Sequence, residues 1–332
     1  MRQIAIIGGG SWGTALALAL GRKGHPIRLW VFEEELVESI NHDRRNALYL
    51  SEFELPACVS ASQSLAAVLD GADIVLTVVP SHHCRDVYQS MLPWLHPEMV
   101  LVSATKGIEN ESLLRMSEIV GAVTTPAFQA RVAVISGPSF AKEVAKGDPT
   151  AIVVASEDLE IAQLIQQEFS SPCLRLYTNT DVTGVELGGA VKNVIAIAAG
   201  VCSGLGFGFN SLAALVTRGL SEMTRLAVAC GGKKETLGGL AGMGDLLLTC
   251  TGELSRNRFV GVQLGQGCKL AEIVSSTRMI AEGVLTTAAT VALARKHQVE
   301  MPITEQMDAV LHHGKRPREA IRELMERRLK GE

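Results

Sequence analysis

The chain has 332 residues, of which 47% are hydrophobic, 20% charged and only 4% aromatic. A chain of this length is too long for a single small hydrophobic core, so we expect two domains. The composition is that of a compact globular protein rather than a disordered one. With so few aromatic residues, the core must be built mainly from Ala, Val, Leu and Ile. The formal net charge of -4 gives no electrostatic reason to expect nucleic acid or an anionic membrane as a partner.

The seven cysteines are scattered, and no two of them form a Cys-x-x-Cys motif. This usage is typical of reduced thiols in a cytoplasmic protein. At the N-terminus, Ile4–Ile7 predicts a buried strand rather than a signal peptide. The uncharged stretch Val194–Thr217 is long enough to span a bilayer, but its four glycines favour a buried helix followed by a bend. We therefore expect no integral membrane association.

In the first half, short apolar segments alternate with amphipathic ones, a pattern typical of a parallel sheet covered by helices. Thr14–Lys23 and Glu157–Phe169 are predicted helices, and the first completes a βαβ unit. The predicted strands are Gln3–Ile7, Ile27–Val31, Ile74–Val78, Val100–Ser103, Val132–Ser136 and Ala151–Ala155. The pattern predicts an α/β, Rossmann-like N-terminal domain.

After about Thr180 the strand-like segments cease, and helical segments joined by Gly-rich turns follow. They include Leu212–Cys230, Thr286–Lys296 and a charged helix around Arg318–Leu329. We therefore expect residues 1–180 to form the Rossmann-like domain and residues 181–332 an all-helical domain for substrate binding and catalysis.

Gly8, Gly10 and Gly13 form a G-x-G-x-x-G turn that directly follows the first strand and opens the first helix. Glycine there permits a tight turn, close approach of the backbone to a pyrophosphate, and packing of helix on strand. The helix N-terminus adds free N–H groups and a positive dipole end. A P-loop is excluded because no Gly-Lys-Ser/Thr follows. The turn predicts a dinucleotide cofactor.

The end of the second strand should decide between NADH and NADPH. An acidic residue near Phe32-Glu33-Glu34-Glu35 would bind the ribose hydroxyls and repel a 2′-phosphate. Arg44 and Arg45 follow closely, however, and they could offer compensating positive charge. The sequence leaves both cofactors open.

Lys192 is the only charged residue between Glu186 and Arg218, and its neighbours describe a helix buried on nearly every face. Burial should lower the pKa of its amine from the ordinary value of about 10.4. A lysine of this kind can act as a general acid or base, whereas a lysine with a buried stem and a solvated head would be merely structural. Asn193 could orient a substrate oxygen or the lysine itself.

Other polar groups are candidates for the same site. Lys106 and the segment Gly137-Pro138-Ser139-Phe140-Ala141 follow the carboxyl ends of predicted strands, where open α/β sheets bind ligands. Asp245 stands in a Gly-rich turn of the second half. Ser255-Arg256-Asn257 supplies a hydroxyl, a guanidinium and an amide suited to phosphate, although Ser255 would also make an ordinary helix N-cap.

The pairs His82-His83 and His312-His313 do not predict a metal site. Adjacent histidines do not face the same way on a helix or strand, and no further ligands have suitable spacing.

With these residues assembled, the chain resembles the NAD(P)-dependent glycerol-3-phosphate dehydrogenases of bacterial type nearly end to end. The Lys192-Asn193 helix and the Gly-Asp-Leu and Ser-Arg-Asn motifs are specific to this family, and the Gly-rich turn is not. The matching segments are Gly8–Thr14, Leu29–Phe32, Val78–Ser81, Thr105–Glu109, Gly137–Ala141, Glu186–Gly200, Gly239–Thr251, Ser255–Asn257 and Ala281–Gly283.

The resemblance implies reversible reduction of dihydroxyacetone phosphate to sn-glycerol 3-phosphate with NAD(P)H, which supplies glycerophospholipid synthesis. It implies that Lys192 is the proton donor and acceptor. It assigns substrate contacts to Lys106, Gly137, Ser139, Asp245, Ser255, Arg256 and Asn257. It assigns the lining of the cofactor site to Ser11, Trp12, Phe32, Lys106, Ala141, Arg256 and Glu282, beside the turn glycines.

Two departures from the family pattern stand out. Tyr49-Leu50-Ser51 replaces the common Tyr-Leu-Pro, and Val31-Phe32-Glu33 lacks an arginine that some members use for NADPH.

The mechanistic hypothesis is hydride transfer to the ketone carbon of the substrate while Lys192 protonates the developing alkoxide. Lys106 and Asn193 stabilise the charge of the alkoxide, and Asp245 completes the catalytic group.

Two alternatives stay open: a related two-domain dehydrogenase for another hydroxy acid, and a nicotinamide-binding regulator without catalysis. The apolar helical domain favours a homodimer.

Overall fold

The computed structural model describes residues 1–275 and 281–329, and within these ranges eight strands form one sheet in the order β3-β2-β1-β4-β5-β6-β7-β8. Every neighbouring pair is parallel except β6 and β7, which are antiparallel. The strands are β1 (Ile4–Ile7), β2 (Ile27–Trp30), β3 (Val59–Ser62), β4 (Ile74–Thr77), β5 (Val100–Ser103), β6 (Arg131–Ser136), β7 (Thr150–Ala155) and β8 (Leu174–Asn179).

The six predicted strands are confirmed as β1, β2, β4, β5, β6 and β7, with small shifts at their ends. The two strands that the sequence did not predict, β3 and β8, are the two edges of the sheet. In β8 only Leu174 and Leu176 are buried, and they alternate with outward-facing Arg175 and Tyr177. An edge strand needs fewer apolar residues, and its signal is correspondingly weak.

The antiparallel pairing of β6 with β7 departs from the expected all-parallel sheet. A short helix joins the two strands, and Gly147, at a φ of 92°, ends it in the left-handed conformation that glycine favours. Because β7 runs in the opposite direction, its carboxyl end lies on the opposite side of the sheet from the carboxyl ends of β1, β4, β5 and β6. The carboxyl ends of β1, β4, β5 and β6 therefore lie on the same side of the sheet as the glycine turn.

Seven helices follow or connect these strands in the first unit, which consists of Met1–Lys106 and Arg115–Val185. The predicted helix Thr14–Lys23 is confirmed, but it begins earlier, at Ser11. The helices are α1 (Ser11–Arg22), α2 (Glu34–His42), α3 (Leu65–Leu69), α4 (Cys84–Met91), α5 (Met116–Thr124), α6 (Ala141–Lys146) and α7 (Leu159–Phe169).

The second unit consists of Gly107–Leu114 and the described residues from Glu186 onward, and its regular structure is helical. Ile108 lies in its core, so a segment of the first half of the sequence belongs to it. The helices are α8 (Val182–Gly204), α9 (Phe209–Ala229), α10 (Lys234–Leu237), α11 (Asp245–Thr251), α12 (Arg256–Gly265), α13 (Leu270–Ser275), α14 (Glu282–Lys296), α15 (Pro302–His312) and α16 (Pro317–Met325). The predicted helix Arg318–Leu329 ends early, at Met325.

Each unit has its own hydrophobic core, dominated by Ile, Leu, Val and Ala as the composition predicted. Helix α8 is the one described helix that is long and apolar enough to cross a membrane, and its most apolar stretch is completely buried inside the protein. The uncharged stretch Val194–Thr217 is confirmed as a buried helix followed by a bend, since α8 ends at Gly204 and α9 begins at Phe209.

Candidate functional site

Two glycines of the G-x-G-x-x-G motif between β1 and α1, Gly8 and Gly13, are required by close contacts inside the protein. Gly8 has a φ of 122°, and a Cβ there would lie 2.5 Å from the Val78 carbonyl oxygen, just beyond β4. A Cβ on Gly13 would lie 1.9 Å from the Gly8 carbonyl oxygen. The turn therefore brings the start of α1 against the ends of β1 and β4, where the order of strands in the sheet reverses.

Gly10 differs from its two neighbours in the motif, because a Cβ built on it meets nothing within 4 Å. Gly10 is also the N-cap of α1, and the backbone N–H of Thr14 donates to its carbonyl at 2.9 Å. The N–H groups of Ser11, Trp12 and Gly13 precede that first helical bond, as in any helix start. An open N-terminus without a side chain at its mouth fits the pyrophosphate of a dinucleotide.

Phe32, predicted to line the cofactor, lies just beyond β2 with 76% of its surface exposed. Its ring meets Trp30 edge-on, with centroids 6.5 Å apart. The Gln63 amide donates to the Phe32 carbonyl at 2.7 Å, which holds the backbone where the chain leaves the strand. The exposed ring offers a flat apolar face to a planar group.

Three of the predicted substrate residues come together in the first unit. Lys106 Nζ donates to the Gly137 carbonyl at 3.2 Å, and Ser139 Oγ donates to the same oxygen at 3.0 Å. Gly137 has a φ of 140°, and a Cβ there would lie 2.9 Å from the Ile152 Cα. Ala141 begins α6 two residues after Ser139. An ammonium and a hydroxyl therefore lie side by side where β5 and β6 end.

In the second unit, Lys192 lies in the middle of α8 and is only 6% exposed. The sequence indicates a lone cation, but the fold supplies a partner: Lys192 Nζ lies 2.7 Å from Asp245 Oδ1, and Asp245 is 1% exposed. Lys192 Nζ also donates to Thr249 Oγ1 at 2.6 Å. Lys192 and Asp245 thus form a buried ion pair, and the Thr249 hydroxyl is a third member of the group.

Local packing explains why Asp245 reaches Lys192. Asp245 is the first residue of α11 and follows one turn of π-helix, Leu240–Gly244. A Cβ on Gly188 of α8 would lie 2.5 Å from the Ala241 carbonyl oxygen, so only glycine lets the π-turn rest on α8. This close contact between Gly188 and the π-turn sets the Asp245 carboxylate beside the Lys192 amine.

Thr249 links the two charged groups and was not singled out from the sequence. Its hydroxyl accepts from Lys192 and donates to the Asp245 carbonyl oxygen at 2.6 Å, with Asp245 Oδ1 at 3.4 Å. The spacing Asp-x-x-x-Thr at the start of a helix places both side chains on one face and was the available signal. Burial raises the pKa of the neighbouring Cys250 thiol to about 12, so this cysteine stays protonated.

A second polar network joins three helices. Asn257 Nδ2 donates to Asn193 Oδ1 at 2.9 Å, and the Gly283 N–H donates to Asn257 Oδ1 at 2.9 Å. A Cβ on Gly283 would lie 2.7 Å from the Asn193 carbonyl oxygen. The amides of α8 and α12 are therefore oriented by each other and by the first turn of α14, which Glu282 begins.

Ser255 is confirmed as the N-cap of α12, because its hydroxyl accepts from the Arg258 N–H at 3.2 Å. Arg256 is the first residue of this helix and is exposed, whereas Ser255 is 3% exposed. An arginine at a helix N-terminus combines a bidentate cation with the positive end of the helix dipole. This corner of the second unit can bind a phosphate.

The rings of His82 and His83 lie 4.0 Å apart, so these side chains face each other, contrary to the sequence-based expectation. Burial and, secondarily, His83 lower the pKa of His82. Among the described residues, no group of three or more His, Cys, Asp or Glu side chains is arranged to hold a metal ion.

Comparison with known proteins finds matches over nearly the whole chain. Residues 3–162 match the N-terminus of the NAD-dependent glycerol-3-phosphate dehydrogenase family, and residues 181–322 match its C-terminus. The glycerol-3-phosphate dehydrogenases [NAD(P)+] of Koribacter versatilis and Geobacter sulfurreducens are 61% and 52% identical to this chain. The alignments span 98% and 99% of this chain and 98% of each relative.

Among solved structures, the crystal structure of glycerol-3-phosphate dehydrogenase from Coxiella burnetii superposes with a TM-score of 0.94. It is 43% identical, and the match covers 98% of this chain and 99% of that one. The sequence motifs, the glycine turn and the buried lysine helix agree with these matches. The chain belongs to the NAD-dependent glycerol-3-phosphate dehydrogenase family.

Proposed function

We propose that this protein catalyses the reversible reduction of dihydroxyacetone phosphate to sn-glycerol 3-phosphate with NAD(P)H. One observation carries the proposal: a buried ammonium, Lys192, held by a buried carboxylate and a hydroxyl in a chain of this family. A buried lysine with a carboxylate and a hydroxyl as partners is a group that can donate a proton to a substrate oxygen.

The first unit holds the cofactor in this proposal. A bound nicotinamide cofactor supplies the hydride that reduces the carbonyl carbon of the substrate. The glycine turn binds its pyrophosphate through the N-terminus of α1, and Phe32 packs against its adenine. The family pattern assigns further lining residues, namely Ser11, Trp12, Lys106, Ala141, Arg256 and Glu282.

Lys192 then protonates the substrate oxygen as that oxygen gains negative charge. Asp245 pairs with the ammonium group, and the Thr249 hydroxyl accepts a hydrogen bond that directs it. In the reverse reaction the neutral amine accepts the proton from the alcohol. Lys106 and Asn193 stabilise the developing negative charge in this hypothesis.

The substrate phosphate is the group that Ser255, Arg256 and Asn257 bind in this proposal. Arg256 supplies a bidentate cation, and the N-terminus of α12 supplies partial positive charge. Asn257 also orients Asn193, so phosphate binding and the orientation of the reacting end depend on the same side chain. Gly137 and Ser139 are retained as substrate contacts on the family pattern.

We further propose that the enzyme works in the cytoplasm as a homodimer and supplies the backbone of glycerophospholipids. All seven cysteines are free thiols, which suits a reducing compartment. Helix α9 exposes Phe209 over 88% of its surface, as an interface residue would be in an isolated subunit. Sedimentation velocity of the purified protein tests the dimer.

The test of function follows the absorbance of NADH and of NADPH after addition of dihydroxyacetone phosphate or of dihydroxyacetone, which lacks only the phosphate. We expect rapid oxidation with the phosphorylated substrate and kcat/KM lower by at least about 100-fold without the phosphate, because remote binding energy positions the carbonyl. A preference for a phosphate-free hydroxy acid would favour the related dehydrogenase. Cofactor binding without turnover would favour the regulator.

A further inference from the structure

The carboxyl end of β2 presents one carboxylate in a fixed position. Glu33 is the N-cap residue of α2 and is half-buried, and its Oε1 accepts from the Tyr49 hydroxyl at 2.5 Å. The two acidic residues that follow, Glu34 and Glu35, are exposed in the first turn of α2. Glu33 is thus distinguished from its neighbours by a specific partner.

Tyr49 is itself tied to the glycine turn. Its N–H donates to Asn46 Oδ1 at 3.0 Å, and its carbonyl accepts from Ser11 Oγ at 3.2 Å. Asn46 is fully buried, and its Nδ2 lies 2.7 Å from both the Gly9 carbonyl oxygen and Thr14 Oγ1. One residue therefore connects the turn that binds pyrophosphate to the carboxylate at the end of β2. These hydrogen bonds fix the position of the Glu33 carboxylate relative to the glycine turn.

The two nearby arginines, Arg44 and Arg45, donate hydrogen bonds to carbonyl oxygens of their own loop. Arg44 donates to the carbonyl oxygens of Leu55, at 3.4 Å, and of Pro56. Arg45 donates to the Ser51 carbonyl at 3.1 Å and lies 4.0 Å from Glu54. Both guanidinium groups stabilise the loop that carries Tyr49.

We propose that Glu33, positioned by Tyr49, accepts hydrogen bonds from the adenosine ribose hydroxyls and makes the enzyme prefer NADH to NADPH. In dinucleotide folds of this kind, an acidic side chain near the end of the second strand binds the 2′-hydroxyl. The 2′-phosphate of NADPH would put two further negative charges beside the Glu33 carboxylate, and like charges repel each other. The inference rests on the proposed function only in that the cofactor is a nicotinamide dinucleotide.

The test is calorimetric binding of ADP-ribose and of 2′-phospho-ADP-ribose to the full-length protein without substrate. These probes differ only at the discriminating group and lack the reactive ring. We expect the wild type to bind ADP-ribose at least about tenfold more tightly, since a charged hydrogen bond replaced by repulsion changes affinity by that order. Glu33→Gln keeps an acceptor for Tyr49 and removes the charge, and it should reduce the ratio to about threefold or less.

Two further variants separate position from charge. Tyr49→Phe removes the hydroxyl that orients Glu33 and should weaken ADP-ribose binding about tenfold, the order expected for one hydrogen bond to a charged carboxylate. Glu35→Gln removes the same charge from an exposed neighbour and should leave the ratio of the two affinities unchanged.

Equal or tighter binding of 2′-phospho-ADP-ribose by the wild type would overturn the inference. So would a Glu33→Gln variant whose ratio moves no further than that of Glu35→Gln. Failure of the proposed function looks different, because the protein would then discriminate between the probes as expected but not reduce dihydroxyacetone phosphate.

Discussion

At the scale of single residues, removal of either Lys192 or Asp245 would leave the other charge buried without its partner and would lower the stability of the fold. Two buried charges lose their hydration, and their mutual attraction offsets this loss. Removal of one partner from such a pair typically lowers the free energy of unfolding by about 3–5 kcal/mol. Both side chains are almost completely buried. Thr249 is the one member of the group that can be changed without leaving a lone buried charge, so it is the better probe of geometry.

Thr249→Val should lower kcat about 10- to 100-fold while the Kd for NADH stays unchanged, because the lost bond is one to a charged amine. Thr249→Ser keeps the hydroxyl and should restore most of the rate. Thr251→Val is the matched control, since Thr251 donates to a carbonyl four residues earlier on the same helix. Steady-state kinetics would contradict the role of Thr249 if the Val variants at both positions behaved alike.

Gly10→Ala separates what the ligand requires from what the fold requires. The added Cβ meets no protein atom within 4 Å and the φ of -69° suits alanine, so the thermal unfolding midpoint should not fall. Binding of NADH should weaken at least about tenfold, because the methyl group occupies the approach of the pyrophosphate. Calorimetry reports the affinity, and unchanged affinity would show that the phosphates bind elsewhere.

At the scale of elements, α8 and α12 approach so closely that each needs glycine in their contact. A Cβ on Gly200 would lie 2.1 Å from the Arg258 carbonyl oxygen, and one on Gly261 would lie 2.0 Å from the Ile197 carbonyl oxygen. Gly204 and Gly265 continue the same contact. This packing places the start of α12, with Asn257, against the helix of Lys192.

Gly200→Ala should therefore lower the free energy of unfolding by about 3 kcal/mol, as overpacking of a tight contact does. Gly121→Ala is the control in α5, where a Cβ meets nothing within 4 Å. There alanine should raise stability by about 0.5–1 kcal/mol through helix propensity. Urea unfolding followed by circular dichroism measures both, and equal effects would contradict the contact.

Glu222 of α9 is a second element-scale feature, because it holds the start of α15. It is 2% exposed and accepts from the Ile303 and Thr304 N–H groups at 2.7 and 3.2 Å. Burial, partly offset by these hydrogen bonds, raises the pKa of its carboxyl from 4.5 to about 6. The folded state therefore retains a proton that the unfolded state releases first.

A raised pKa means that this group favours the folded state below pH 4.5 and loses that contribution as pH rises through about 6. Relative to Glu222→Gln, the wild type should lose about 2 kcal/mol of stability across this window. Glu305→Gln, which removes an exposed carboxylate of α15, should show no such difference. Urea unfolding at several pH values provides the comparison, and a parallel pH dependence in wild type and Glu222→Gln would contradict it.

At the scale of the whole molecule, strands buried on both faces were predictable from sequence and the edges of the sheet were not. Continuous apolar runs mark β1, β4 and β5, whereas β3 has two serines among four residues. The antiparallel direction of β7 could not be predicted from its composition, because a strand has the same residue pattern whether it runs parallel or antiparallel to its neighbour. Membership of Gly107–Leu114 in the second unit depends on long-range packing, which no local pattern encodes.

The candidate site divides in the same way. Lys192 was visible because a charge in an apolar helix has few purely structural explanations, and the glycine turn because its spacing is fixed by backbone geometry. Pairing of Lys192 with Asp245 and Thr249 depends on how the π-turn packs on α8, which is tertiary information. The same holds for Arg44 and Arg45, whose partners are carbonyls of their own loop.

The central claim is that Lys192 is the proton donor, and Lys192→Met tests it most directly. Methionine keeps an unbranched apolar stem of similar length and removes the ammonium group. We predict that kcat for dihydroxyacetone phosphate reduction falls by about 1,000-fold or more, while the Kd for NADH measured on the same preparation changes less than about threefold. A folded variant that binds NADH and keeps a near-normal kcat would contradict the account.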